Sequence, residues 1–170
     1  MKYLVINASP IILLGKIGKL ELLMMAGRKS IAPIRVVEEV KRKKTPETLA
    51  LENALNNWLN TFDDVPNALM ISSIIGEDIK RGEVDVIAKA HQLLRAGHDV
   101  IAVLDDKPAR KGAQALSIPV TGTLGMVFHA VQSGTITPEF GTATVDELIS
   151  VGARLDIMLV REIIDRMSSI

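Results

Sequence analysis

Short unbroken apolar runs alternate along the chain with longer stretches in which apolar residues recur every three or four positions. Lys2 to Ile6, KYLVI, is the first short run, and Asn7 stands at its end. Ser30-Ile31-Ala32 and Val100 to Leu104 are of the same kind, with Ile118-Pro119-Val120 as a shorter fourth. Such runs read as strands buried on both faces of a parallel sheet. Between them lie helical patterns. Ser9-Pro10 supplies an N-cap and a first-turn proline for a helix with Ile11, Ile12, Leu14 and Ile17 on its apolar side. Gly18 interrupts this pattern before Leu20, Leu22, Leu23 and Met24 resume it. Pro33 opens a helix through Val36, Val37 and Val40, and Pro46 to Leu59 carries a second stripe of Leu49, Leu51, Leu55 and Trp58. The clearest helix starts at Gly82-Glu83 and stops at Gly97, with Val86, Ile87, Ala90, Leu93 and Leu94 on one face.

Further helices are predicted over Ala109 to Leu116, from Gly122 through Val131, and over Val145 to Val151. A last one spans Asp156 to Met167, where Ile157, Val160, Ile163, Ile164 and Met167 have core spacing. Phe62 to Pro66 reads as a connector or an edge strand, and Gly134 to Gly141 as a loop. Leu69 to Ile75 is apolar but too short to tell helix from strand. The alternation predicts an α/β fold of three layers around a parallel sheet, and 170 residues suit one domain.

Composition removes several classes of function. The chain has no cysteine, which excludes disulfides, thiolate metal sites and cysteine nucleophiles and fits a reducing compartment. Formal net charge is zero, so any polyanion site must be a local patch. Aromatic residues are 3% of the chain, which argues against a base-stacking platform for single strands. No apolar run reaches membrane-spanning length, and the first residues enter a strand pattern rather than a signal peptide. A cytoplasmic protein without membrane contact is the expectation.

Candidate chemistry centres on DVIAVLDDKPAR, Asp99 to Arg110, where a buried run ends in Asp105 and Asp106. In parallel α/β sheets, ligands bind beyond the carboxyl ends of the strands. Two acids at that place suit a metal, and equally one of them suits capping the helix that Pro108 opens. Glu39, Glu83 and Asn7 are the other oxygen-bearing residues at strand ends or helix starts, and such ligands suit a hard cation such as Mg²⁺ or Mn²⁺. Asp85 and Glu38 are expected on solvated faces. Lys41-Arg42-Lys43-Lys44 is either a solvated helix end or a phosphate contact, and Lys107, Arg110 and Lys111 are placed either to meet phosphates or to pair with nearby acids. The histidines His91, His98 and His129 form no metal-binding spacing.

Four segments in order, INASPIILLGKIGKLELL, IAPIRVVEEV, RGEVDVIAKA and VIAVLDDKPARKGAQALSIPVTGTLG, resemble a PIN domain over about Met1 to Gln132. Residues 133–170 then form a C-terminal helical extension of the same single domain. The resemblance implies an α/β/α nuclease with Mg²⁺ or Mn²⁺ held by acids, acting on RNA, with the toxins of toxin–antitoxin pairs among its members. It also implies a homodimer and a cognate antitoxin as partner. By position it assigns Glu39, Glu83 and Asp106 as catalytic ligands, with Asp105 and Asn7 completing the metal set. Ser9 and Thr123 are the supporting polar residues, and Lys41, Arg42, Lys43, Lys44, Lys107 and Arg110 are candidates to contact RNA. The chain departs from the family at Asn7, where most active members carry aspartate. An amide oxygen still coordinates a cation, but one negative charge is missing. A ribonuclease is therefore the leading expectation, and a catalytically weak or silent module that binds nucleic acid or protein is the alternative.

Overall fold

The structure, a computed structural model, describes residues 1–78 and 81–170. Five strands, β1 (Lys2–Ile6), β2 (Lys29–Pro33), β3 (Asn60–Phe62), β4 (Asp99–Val103) and β5 (Val120–Thr121), form one sheet in the order β3-β2-β1-β4-β5. Every pairing is parallel. The apolar runs explain this: Leu4, Val5 and Ile6 are fully buried, so both faces of β1 need a cover of helices.

One face packs Leu4, Ile6, Ala32 and Val103 against α1 (Ala8–Lys16), α2 (Ile34–Lys41), α3 (Pro46–Asn57) and α7 (Thr123–Gln132). Val145 and Leu148 of α8 (Pro138–Ser150) and Ile163 and Met167 of α9 (Ile157–Ser168) extend that core. The other face packs Val5, Ile31, Val100, Ala102 and Leu104 against α4 (Ala68–Ile75), α5 (Gly82–Arg95) and α6 (Lys107–Ala115). The result is the three-layer α/β/α arrangement expected from the alternation of patterns. Among the described residues no helix is long and apolar enough to cross a membrane.

Several local expectations change. Ser9 does not cap α1: the helix begins at Ala8 after Asn7, whose side chain makes no cap bond, and the Ser9 hydroxyl is used elsewhere. Pro33 closes β2 rather than opening α2. Leu69 to Ile75 is helical, because Gly76 at φ 71° supplies a left-handed C-terminal stop. The expected loop Gly134 to Gly141 gives way to α8 at Pro138, where the Thr137 hydroxyl accepts the Phe140 N–H at 3.2 Å. That Thr-Pro pair is an N-cap followed by a first-turn proline. In α9 the core stripe holds only for the second half: Ile163 and Met167 are buried, whereas Ile157 is exposed.

At the start of α3 the side chain of Glu47 is buried. The Thr45 hydroxyl, ahead of Lys16 and Lys43, holds its carboxyl below the ordinary 4.5 although burial pulls the other way. A depressed carboxylate stabilises the fold above its unfolded pKa and loses that contribution as pH falls. Denaturant unfolding of wild type and Glu47→Gln is therefore expected to differ most at neutral pH, wild type being the more stable. The gap should narrow as pH drops through and below about 4.5. A pH-independent gap would remove the assignment.

Candidate metal and nucleic-acid site

Strand order reverses between β1 and β4, and in open α/β sheets the ligand crevice lies at that point beyond the carboxyl ends. The ladder keeps the ends in register: the Asn7 N–H donates to the Val103 carbonyl at 3.2 Å, and the Leu104 N–H to the Thr121 carbonyl at 2.9 Å. Asn7, Asp105 and Thr123 are thereby brought to one edge, although they lie far apart in the chain.

The two adjacent acids part company here. Asp105 receives three hydrogen bonds: Thr123 N–H to Oδ1 at 2.7 Å, Thr123 Oγ1 to Oδ2 at 2.6 Å, and Ser9 Oγ to Oδ2 at 3.0 Å. Asp106 Oδ2 accepts the Ala109 N–H at 2.9 Å as the cap of α6, so the capping reading of the pair is met by Asp106. A Cβ added to Gly122 would lie 2.9 Å from Asp105 Oδ1 and 2.9 Å from Arg110 Nη1, so the glycine leaves room for the α6 guanidinium and the strand-end carboxylate to approach the same spot.

Glu39 and Glu83 reach this edge from α2 and α5. Gly82 makes that possible, since a Cβ there would stand 2.9 Å from Val36 Cγ2, 3.2 Å from Asn7 Oδ1 and 3.9 Å from Glu39 Oε2. The Asn7 residue is 3% exposed, and its amide makes no hydrogen bond among the described residues. Glu83 Oε2 lies 3.6 Å from Arg81 Nε, which is also 3.6 Å from Glu77 Oε2. Asn7, Ser9, Glu39, Glu83, Asp105 and Asp106 all line a single cleft of about 1020 Å³. Thr123 is fully buried behind it and acts on it through Asp105.

A family model described as a PIN domain matches residues 3–169. The chain belongs to the PIN-domain family. No curated protein matches it. The match runs past Gln132 through α8 and into α9, so the C-terminal helices fall within the matched span of this PIN domain. The fold is accordingly of nuclease type.

Within this PIN domain, Asp85 departs from the expected solvated face. It is 5% exposed and paired to Arg35 Nε at 2.9 Å. Burial raises its pKa, and the Arg35 charge and hydrogen bond oppose that rise. The pair ties the first turn of α5 to the first turn of α2 from outside the cleft. Its acceptor was hidden in the sequence because no period places Arg35 opposite Asp85.

The basic residues divide as well. Lys107, Arg110 and Lys111 line the cleft, while Arg42 lines a separate groove with Arg35, Phe62 and Asp85. Lys41, Lys43 and Lys44 are exposed and line neither. None of the three histidines borders the cleft. Its far wall is the turn between α8 and α9, Gly152 to Asp156, which sequence reasoning missed. No motif marks that turn, and it reaches the cleft only because α8 and α9 pack on α7.

The donors at the edge are carboxylates and one amide, the oxygen-only set that hard cations take and that soft metals do not favour. Among the described residues no three Asp, Glu or His side chains already surround one ion position. The fit lies in donor type and in the unpartnered Asn7 amide.

Proposed function

We propose that this PIN domain is a metal-dependent ribonuclease whose centre is built from Glu39, Glu83, Asp105 and Asn7, with Asp106 beside it. The observation that supports the reading is that these residues and Arg110 line one cleft at the strand-order reversal. Mg²⁺ or Mn²⁺ held by Glu39, Glu83, Asp105 and the Asn7 amide oxygen would supply Lewis acidity toward a phosphodiester and a more acidic bound water. The chain's own residues do the rest. Thr123 and Ser9 fix the rotamer of Asp105 so that its charge faces the cleft, and Arg110 and Lys107 offer cationic donors to backbone phosphates. A toxin role restrained by an antitoxin, in a homodimer, belongs to the same proposal and rests on family resemblance.

Asn7 favours a second reading, a weak or silent module, because an amide leaves one charge fewer against a cation. The two separate on labelled RNA incubated with Mg²⁺, Mn²⁺ or EDTA. A ribonuclease cleaves only with metal, and Glu39→Gln is expected to lower the rate by at least tenfold, since placed charge at a reacting phosphoryl group is commonly worth about 10²-fold. Wild type that cleaves nothing at any metal concentration supports the silent module. Cleavage unchanged by EDTA and by Glu39→Gln removes the site assignment.

A further inference from the structure

The cleft is larger than the acidic edge requires. A single phosphate does not fill about 1020 Å³, a volume at the upper end of those that enclose whole small ligands. Besides the acids the cleft is lined by Lys107, Arg110 and Lys111 of α6 and by Arg154 of the α8–α9 turn, where the Asp156 carboxylate is taken up in capping α9. These cations enter no ion pair among the described residues, whereas Arg28, Arg35, Arg81 and Arg166 are each paired with an acid. Arg154 is exposed, so its charge is hydrated and available. Ile12 and Leu13 of α1 and Leu155 and Leu159 of the turn and the start of α9 are also in the lining. Cations and aliphatic side chains in one cleft suit a chain of phosphates joined by sugars. The lining has no aromatic residue on which a base would stack, so the grip falls to the backbone phosphates.

We infer that the α8–α9 turn is the distal half of the substrate channel, with Arg154 gripping a backbone phosphate of single-stranded RNA flanking the one at the acidic edge. The inference rests on the ribonuclease reading of the cleft and adds to it a positioning residue. Arg154 touches substrate away from the reacting atoms, so its loss acts on binding before it acts on the chemical step.

The test is fluorescence anisotropy of a short fluorescein-labelled oligouridylate in Ca²⁺, titrated over a range of salt, with the full chain. Arg154→Ala is expected to weaken binding about fivefold at low salt and to flatten the log–log salt slope by about 0.7, the value for one phosphate contact on a single strand. Arg161→Ala, an exposed charge of α9 outside the cleft, should leave both unchanged. Arg154→Lys should recover most of the slope, because the slope counts charge rather than fork geometry. Arg154→Ala equal to wild type, while Arg110→Ala weakens binding, overturns this inference alone. Equal effects of Arg154→Ala and Arg161→Ala also overturn it. A wild type that binds RNA through Arg154 yet cleaves none leaves the channel standing and removes the ribonuclease. A wild type that binds no RNA overturns both.

Discussion

Asp105→Asn should abolish most RNA cleavage while leaving the fold nearly intact, and Asp106→Ala should keep most of the cleavage while lowering stability slightly. The amide at position 105 keeps an oxygen for the Thr123 N–H, now bonded at 2.7 Å, and the Thr123 and Ser9 hydroxyls can rotate to accept from its NH₂. What is lost is charge facing the cleft, and removal of one such preorganised group costs roughly 10²- to 10³-fold in rate. Asp105→Ala adds a structural penalty, because Thr123 is fully buried and a donor left without partner costs about 1–3 kcal/mol. Asp106 is the cap of α6, so its alanine variant should lose about 1 kcal/mol. That corresponds to a melting temperature lower by about 2–4 °C in a chain of this size. Cleavage rates and thermal melts on the three variants decide the matter. If Asp106→Ala loses cleavage as fully as Asp105→Asn, the acid paired with Thr123 is not the principal one and the assignment from family resemblance holds instead.

Asn7→Asp should raise cleavage by about tenfold or more and make stability depend on metal. The residue is 3% exposed, and its Oδ1 and Glu39 Oε2 flank the same point beside Gly82. A second carboxylate there meets a like charge in a poorly solvated place, which costs free energy unless a proton or a cation offsets it. In EDTA the variant should therefore melt several degrees below wild type. Adding Mg²⁺ should raise its melting point more than that of wild type, because binding at 100 times Kd contributes about 2.7 kcal/mol by mass action. The tenfold gain in rate corresponds to about 1.4 kcal/mol of transition-state stabilisation, a modest share of what one restored charge can supply. Equal Mg²⁺ responses in the two proteins, with no gain in cleavage, would show that the amide does not stand at an ion site.

Local physics made much of this chain legible in one dimension. An apolar run buried on both faces has few structural options, so KYLVI and the run into Leu104 read correctly as inner strands. A stripe with a glycine stop likewise identified α5. The three-layer fold follows from alternation, because each strand run must be covered on both sides. The oxygen-rich end of β4 was visible for the same reason: a charge pair directly after a buried run has to emerge at a sheet edge.

Tertiary structure alone decided which acid bonds to what. Asp105 and Asp106 are chemically identical neighbours, and only the arrival of Thr123 beside one and of the Ala109 N–H above the other distinguishes them. Asp85 looked solvated because helical periodicity describes one helix at a time, whereas its burial comes from Arg35 on another. Arg154 carried no signal at all. Its position depends on α8 and α9 packing across α7 and returning the turn to the cleft, a long-range arrangement set by side-chain packing that no spacing along the chain encodes.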